Sequence, residues 1–205
     1  MALIRSPDIP SSAPVLEGRG IYMRYAQLAD FEEWAKLREE SRAFLAPWEP
    51  IWPADDLTRL AYRRRIKRYN RDIKEDLAYP FFVFQASDGA LVGGATISNV
   101  RRGVAQACNL GYWVGQKYAR NGLISAAVKA LFPFVFETLK LNRIESACLA
   151  NNEPSQGLLR KVGYTEEGYA RKYLKINGEW QDHLLFALVK GDPASLGTGK
   201  SNWVE

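Results

Sequence analysis

Apolar residues along this chain switch repeatedly between a period near two and a period near three and a half, and the switches mark out its elements. Residues 20–25 read as a first strand. Asp30 stands where a helix N-cap belongs, with Glu33 three residues on as in a capping box, and predicts a helix to about residue 41. Pro47, Pro50 and Pro53 then break the chain around Trp48 and Trp52. Asp55 or Asp56 can cap a second, long helix to about residue 76. Apolar runs at 79–86 and 90–100 are joined by Ser87-Asp88-Gly89, a good hairpin turn. A strand at 107–114 leads into an amphipathic helix at 122–139, a strand at 143–150 and a short helix at 154–162. A hairpin closes the pattern, 164–176 and 179–189, turning at Asn177-Gly178.

This order predicts an α+β fold, a central mixed and mostly antiparallel sheet flanked by helices. The strands on either side of helix 122–139 should be parallel, joined by a right-handed crossover. Residues 1–18 and 191–205 lack apolar periodicity and read as a flexible lead and a loose tail around one domain, 19–190.

Composition narrows the class. At 205 residues, 47% hydrophobic and 25% charged, the chain has the make-up of a soluble globular domain with a sizeable core. It holds no apolar run of about 18 residues, so no membrane span is expected, and its first residues are too polar and Pro-rich for a secretion signal. Cys108 and Cys148 give neither a disulfide framework nor a metal spacing, and His183 is the single histidine, so no metal site is expected. A reducing, cytoplasmic setting fits. The net charge of +5 suits a polyanionic partner: a nucleotide cofactor, ribosomal RNA, or both.

One stretch concentrates the chemistry. In LGYWVGQKYARNGL (110–123) an aromatic strand enters a short polar turn that opens directly into a helix. The unpaired N–H groups of a first helical turn and the positive end of its dipole suit phosphate. Lys117 and Arg120 add charge beside Gly122. Gly111, inside a bulky strand, marks a bulge or close backbone approach, or only relieves crowding beside Tyr112 and Trp113.

The order of elements and this turn resemble the GNAT acetyltransferases. AFLAPWEP (43–50), SNVRRG (98–103), LGYWVGQKYARNGL (110–123) and KYLKINGEWQDH (172–183) resemble the RimJ/RimL group of bacterial ribosomal-protein N-acetyltransferases, and within it the RimJ type. The resemblance covers residues 19–190. It implies acetyl-CoA as co-substrate, a protein N-terminus as acceptor and possible ribosome association. Rival readings are an acetyltransferase for a small amine, an antibiotic or a lysine, and a ribosome- or RNA-binding assembly factor with secondary or lost catalysis. The family turn runs Gln/Arg-x-x-Gly-x-Gly/Ala. Here its ends are Ala119 and Ile124, only Gly122 is kept, and Arg120 is placed to supply the missing donor.

The resemblance also implies roles. The strand before the turn splays from its neighbour, so that Trp113, Val114 and Gly115 line the pantetheine arm through their main chains. The diphosphate lies over Tyr118, Ala119, Arg120, Asn121, Gly122 and Leu123, with Ile124 adding an N–H. N-x-x-S-x-x-L-L-x-x-x-G-Y (152–164) matches a second cofactor element, in which Asn152 contacts a pantetheine amide and Ser155 protonates the departing thiolate. Both residue types are also ordinary N-caps. Glu145, on a central strand, is either a general base or a partner of Arg143. Cys148 reads as core, and His183 as structural before catalytic. Trp48 and Trp52 line the acceptor cleft or fill the core. Arg64, Lys67, Arg68 and Arg71 share a helix face that is either solvated or an RNA dock.

Overall fold

The computed structural model describes residues 15–196. Its strands are β1 (Leu16–Gly18), β2 (Ile21–Tyr25), β3 (Tyr79–Gln85), β4 (Leu91–Arg101), β5 (Ala107–Val114), β6 (Arg143–Leu149), β7 (Thr165–Ile176) and β8 (Glu179–Val189). Its helices are α1 (Phe31–Glu40), α2 (Arg42–Leu45), α3 (Arg59–Lys74), α4 (Leu123–Pro133) and α5 (Glu153–Val162). The strands form one sheet in the order β1-β2-β3-β4-β5-β6-β8-β7. β5 and β6 run parallel, with α4 as the connection; every other neighbouring pair is antiparallel. The expected α+β architecture is therefore present.

Alternation along β3 shows why both faces of the sheet carry helices. Phe81 and Val83 belong to a core built with α4 and α5, while Phe82 and Phe84 belong to a second core built with α1 and α3. In the first, Ile124, Ala127, Val128 and Leu131 form the buried stripe of α4. In the second, Trp34 of α1 packs on Tyr62 of α3 with ring centroids 4.8 Å apart.

Several local expectations give way. Residues 16–18 belong to the sheet as β1 rather than to a lead, and the tail begins with an ordered turn (Pro193–Leu196) whose Ala194 packs on the core. The remaining lead and tail, 1–14 and 197–205, lie outside the described residues. Asp30 does not cap α1: its carboxylate binds Arg24 at 2.9 and 2.6 Å and accepts from the Gln27 N–H at 2.7 Å. Glu33 closes no capping box with it and instead accepts from the Leu91 N–H at 2.6 Å, tying α1 to β4. α3 is capped not by Asp55 or Asp56, which pair with Arg64 and Arg65, but by Thr58, whose hydroxyl accepts from Ala61 N–H. The helix expected to run to residue 139 changes at Pro133. Proline has no N–H to donate, and the chain continues as a π-helical turn (Phe134–Thr138) that closes with Leu139 N–H on Phe134 C=O at 2.8 Å.

Thr58→Ala is expected to lower stability by about 1 kcal/mol in chemical denaturation, whereas Asp55→Ala, which removes an exposed ion pair, should leave the transition nearly in place. Equal losses from both would return the cap to the aspartates.

Candidate active site

The parallel pair β5–β6 is short. Its register holds over Ala107–Arg143, Cys108–Ile144 and Asn109–Glu145 and then ends, so the two strands diverge inside the sheet. The buried Ser146 hydroxyl donates to the Leu110 carbonyl at 3.1 Å and closes the base of the wedge. Above it, the side of β5 that faced β6 has lost its strand partner. The direction of each main-chain group follows from one bond: Gly115 N–H donates to Val92 C=O at 2.8 Å, toward β4. Main-chain groups alternate sides along a strand, so Trp113 also turns toward β4, while Tyr112 and Val114 face the wedge. Two expectations are corrected here. Trp113 and Gly115 do not offer their N–H groups to the wedge, because β4 already engages that side. Gly111 is not a bulge either: its register with Thr96 is regular, a Cβ there would meet nothing within 4 Å, and the β4–β5 irregularity lies between Ser98 and Arg101.

Glycines set how closely the walls approach. A Cβ on Gly93 would come within 2.3 Å of the Trp113 carbonyl, and one on Gly115 within 2.3 Å of the Leu37 side chain. Gly115 thus lets α1 pack directly beneath the end of β5.

The turn that follows is open. A 3-10 turn (Gln116–Tyr118) engages the Tyr118 N–H with Gly115 C=O at 2.9 Å and the Ala119 N–H with Gln116 C=O at 3.2 Å. Those two N–H groups are therefore engaged within the turn, so a diphosphate lying over Tyr118 and Ala119 would not be held by them. Arg120 (φ 64°) and Gly122 (φ 76°) then take the left-handed region and turn the chain into α4. No side chain caps α4, and a helix offers its first N–H groups no internal acceptor, so those of Leu123 and Ile124 are presented outward. Arg120 and Asn121 are exposed beside them, and Arg120 forms no ion pair among the described residues. Gln116 N–H donates to the buried Ser41 hydroxyl at 2.9 Å, which anchors the turn to the end of α1.

On the far wall, Asn152 caps α5, its side-chain oxygen accepting from Ser155 N–H at 3.1 Å. Ser155 Oγ lies 2.7 Å from the hydroxyl of Tyr112, which reaches across from β5. Burial pushes the Tyr112 phenol well above its ordinary pKa. A strand edge without a partner, an uncapped helix N-terminus and a serine at the mouth between them suit a ligand with amides, phosphates and a polar reacting end.

A family model described as acetyltransferase (GNAT) domain matches residues 21–165. The chain belongs to the GNAT acetyltransferases. It is similar to the probable N-acetyltransferase YjcK of Bacillus subtilis, 35% identical over 178 residues that cover 87% of this chain and 98% of that one. It is 36% identical to the [ribosomal protein uS5]-alanine N-acetyltransferase of Escherichia coli over 165 residues, 80% of this chain and 85% of that one. The structure of Mycobacterium smegmatis RimJ in complex with CoA-disulfide matches with a TM-score of 0.83 at 28% identity, covering 91% of this chain and 92% of that one.

Within this GNAT domain, Glu145, His183 and the basic residues of α3 fall outside the wedge, whereas Cys148 lies on β6 beside Ser155. Glu145 sits opposite Asn109, where strand pairing ends, and accepts from Arg101 and, at 2.9 Å, from Arg143, which also binds Glu167 at 3.0 Å. Burial alone would raise its pKa, but the hydrogen bonds from Arg101 and Arg143 outweigh it and hold the carboxyl below its usual range. A carboxylate so held is a poor proton acceptor, so the general-base assignment is withdrawn in favour of the ion pair. His183 is buried, with Nδ1 2.9 Å from the Gln181 carbonyl and its ring against Tyr173. Cys148 is buried. On α3, Arg64 and Arg71 pair with Asp55 and Asp72.

Trp52 belongs to neither core. It stacks on the Arg38 guanidinium at 4.0 Å and donates to Glu49 at 2.7 Å, while Arg38 grips Glu49 at 2.7 and 2.6 Å and lies 5.0 Å from Trp113. The Asn177 N–H, at the tip of the β7–β8 hairpin, donates to the Glu49 carbonyl at 2.9 Å. The proline-rich segment is thus pinned from two sides on the face of the sheet that Trp113 shares with α1.

Glu145→Gln is expected to leave turnover unchanged. A carboxyl whose pKa is lowered by folding contributes stability that is present above its ordinary value, about 4.3, and lost as pH falls through its folded value. The variant should therefore differ from the parent in stability at neutral pH and converge with it in acid. A large fall in kcat at constant fold would restore Glu145 to the chemistry.

Proposed function

We propose that this chain transfers the acetyl group of acetyl-CoA to an α-amino group at the N-terminus of a ribosomal protein, an alanine or serine. One observation carries the reading: the edge of β5 that β6 leaves unpaired leads through one short turn to an uncapped helix N-terminus, with Ser155 facing that edge. The acceptor follows the stated substrate of the Escherichia coli relative.

The N–H groups of Leu123 and Ile124, with Arg120, Asn121 and Gly122 around them, hold the diphosphate, aided by the helix dipole. Arg120 supplies the donor that Ala119 lacks. Main-chain groups of Tyr112 and Val114 pair with the pantetheine amides as a missing strand would, and the Asn152 side-chain amide meets them from the other wall. A wedge N–H opposite the thioester oxygen stabilises the charge that builds there. Bound acetyl-CoA supplies an activated acyl group. Ser155 gives its proton to the leaving sulfur. The amine needs little help: an α-ammonium has a pKa of about 7.7–8.0, so a sizeable fraction is neutral at pH 7, and positioning supplies much of the rate. Meeting this acceptor on the ribosome, in the cytoplasm, suits the exposed Arg63, Lys67 and Lys74 of α3, which have no acidic partner among the described residues.

Three matched peptides test the acceptor by mass spectrometry after incubation with acetyl-CoA. One has a free N-terminal alanine and no lysine, one a blocked N-terminus and internal lysines, and one neither amine. Modification of the first alone is expected; acetylation of the lysine peptide instead would overturn the acceptor class.

Ser155→Ala tests the acid. Its kcat should fall at least about 10-fold, with acetyl-CoA affinity within about 2-fold of the parent. An unchanged kcat removes Ser155 from the mechanism.

A further inference from the structure

We infer that Tyr112 is a positioning residue for Ser155, orienting its hydroxyl proton toward the reacting sulfur across the mouth of the wedge. The inference rests on the reading of Ser155 as the acid. Tyr112 lies three residues beyond the last position of β5 that pairs with β6. Its ring packs with the α4–α5 core, so the hydroxyl is held by the body of the protein rather than by a loop.

Hydrogen accounting gives the direction of the bond. Tyr112 Oη is 2.7 Å from Ser155 Oγ, and the one other oxygen it approaches among the described residues is the Ser155 carbonyl, at 3.5 Å. The phenol hydrogen therefore has one well-placed acceptor, Oγ. With Oγ accepting from the tyrosine, the serine hydrogen is left for a third group: the neighbouring Cys148 sulfur, a weak acceptor, until a stronger one arrives. The Ser155 N–H is fixed on Asn152 as well, so both the main chain and the side chain of this serine are constrained. Burial keeps the phenol protonated, and so a donor, across the working pH range.

In the transfer, the amine nitrogen forms its bond to the acyl carbon and the carbon–sulfur bond breaks. The departing sulfur takes the proton of Ser155 Oγ, the ammonium formed on the acceptor releases its proton to water, and Ser155 regains one from water. Tyr112 keeps its own proton throughout. Its hydrogen bond strengthens as negative charge develops on Oγ, which is where a charge-assisted bond helps most.

Tyr112→Phe, Ser155→Ala and the double variant test this. Tyr112→Phe keeps the packed ring and should lower kcat about 10-fold while leaving KM for acetyl-CoA within about 2-fold. The double variant should be no slower than Ser155→Ala alone, because the tyrosine then has nothing to orient. Restoring the hydroxyl with 3-fluorotyrosine at position 112 should recover the parental kcat to within about 2-fold, a rescue that a packing defect would not show. If Ser155→Ala is slow but Tyr112→Phe runs at the parental rate, or if the two losses multiply in the double variant, the inference is overturned while the acid assignment stands. If Ser155→Ala itself keeps full kcat, the acid assignment fails first and takes the inference with it.

Discussion

The structure depends on strand pairing that stops early. Three residue pairs join β5 to β6, and beyond them an eight-stranded sheet is open in its interior. Unmet main-chain groups in such a place cost about 1–3 kcal/mol each when water is excluded. The fold limits the gap instead of closing it. Ser146 satisfies Leu110 at the base, and Tyr112 with Ser155 bridges the mouth. What is left over, the wedge-facing edge of Tyr112 and Val114, is a strand edge without a strand partner.

The other elements can be understood as holding that gap at a fixed width. α4 ties β5 to β6 in sequence and packs along β1–β5 on one face. On the other, α1 fits against the end of β5 because Gly115 has no side chain, and the proline-rich segment is locked between Arg38 and the hairpin tip. The two supports thus come from opposite faces of one sheet and both bear on β5, the strand that leaves β6.

The order of most strands and helices, the parallel crossover and the position of the turn before α4 were legible in the sequence, because periodicity and the Asn121-Gly122 turn are local signals. Helix caps were not. Asp30, Asp55 and Asp56 have the right chemistry for capping, but Arg24, Arg64 and Arg65 compete for them through space, and Thr58 holds the cap that the aspartates leave. Which main-chain groups are free was also hidden. That Tyr118 and Ala119 donate within a 3-10 turn, and that Trp113 turns to β4, depends on partners that residue types do not name. Tyr112 reads in sequence as one more core aromatic; only its distance from Ser155, 43 residues on, gives it another role.

Glu145 carries the same lesson into the chemistry. Arg143, two residues away, was visible as a rival for it, but Arg101, 44 residues away, was not, and together they hold the carboxylate below its usual pKa. A site without that base discriminates among amines by their own acidity. At pH 7 a lysine side chain with a pKa of about 10.4 is neutral roughly 340-fold less often than an α-amine near 7.8. A wedge that holds an acyl thioester and waits for an amine already neutral would favour protein N-termini over lysines before any side chain of the acceptor is read. The ion-paired glutamate and the α-amino acceptor are then consistent parts of one arrangement, in which selectivity comes from the proton the site does not remove.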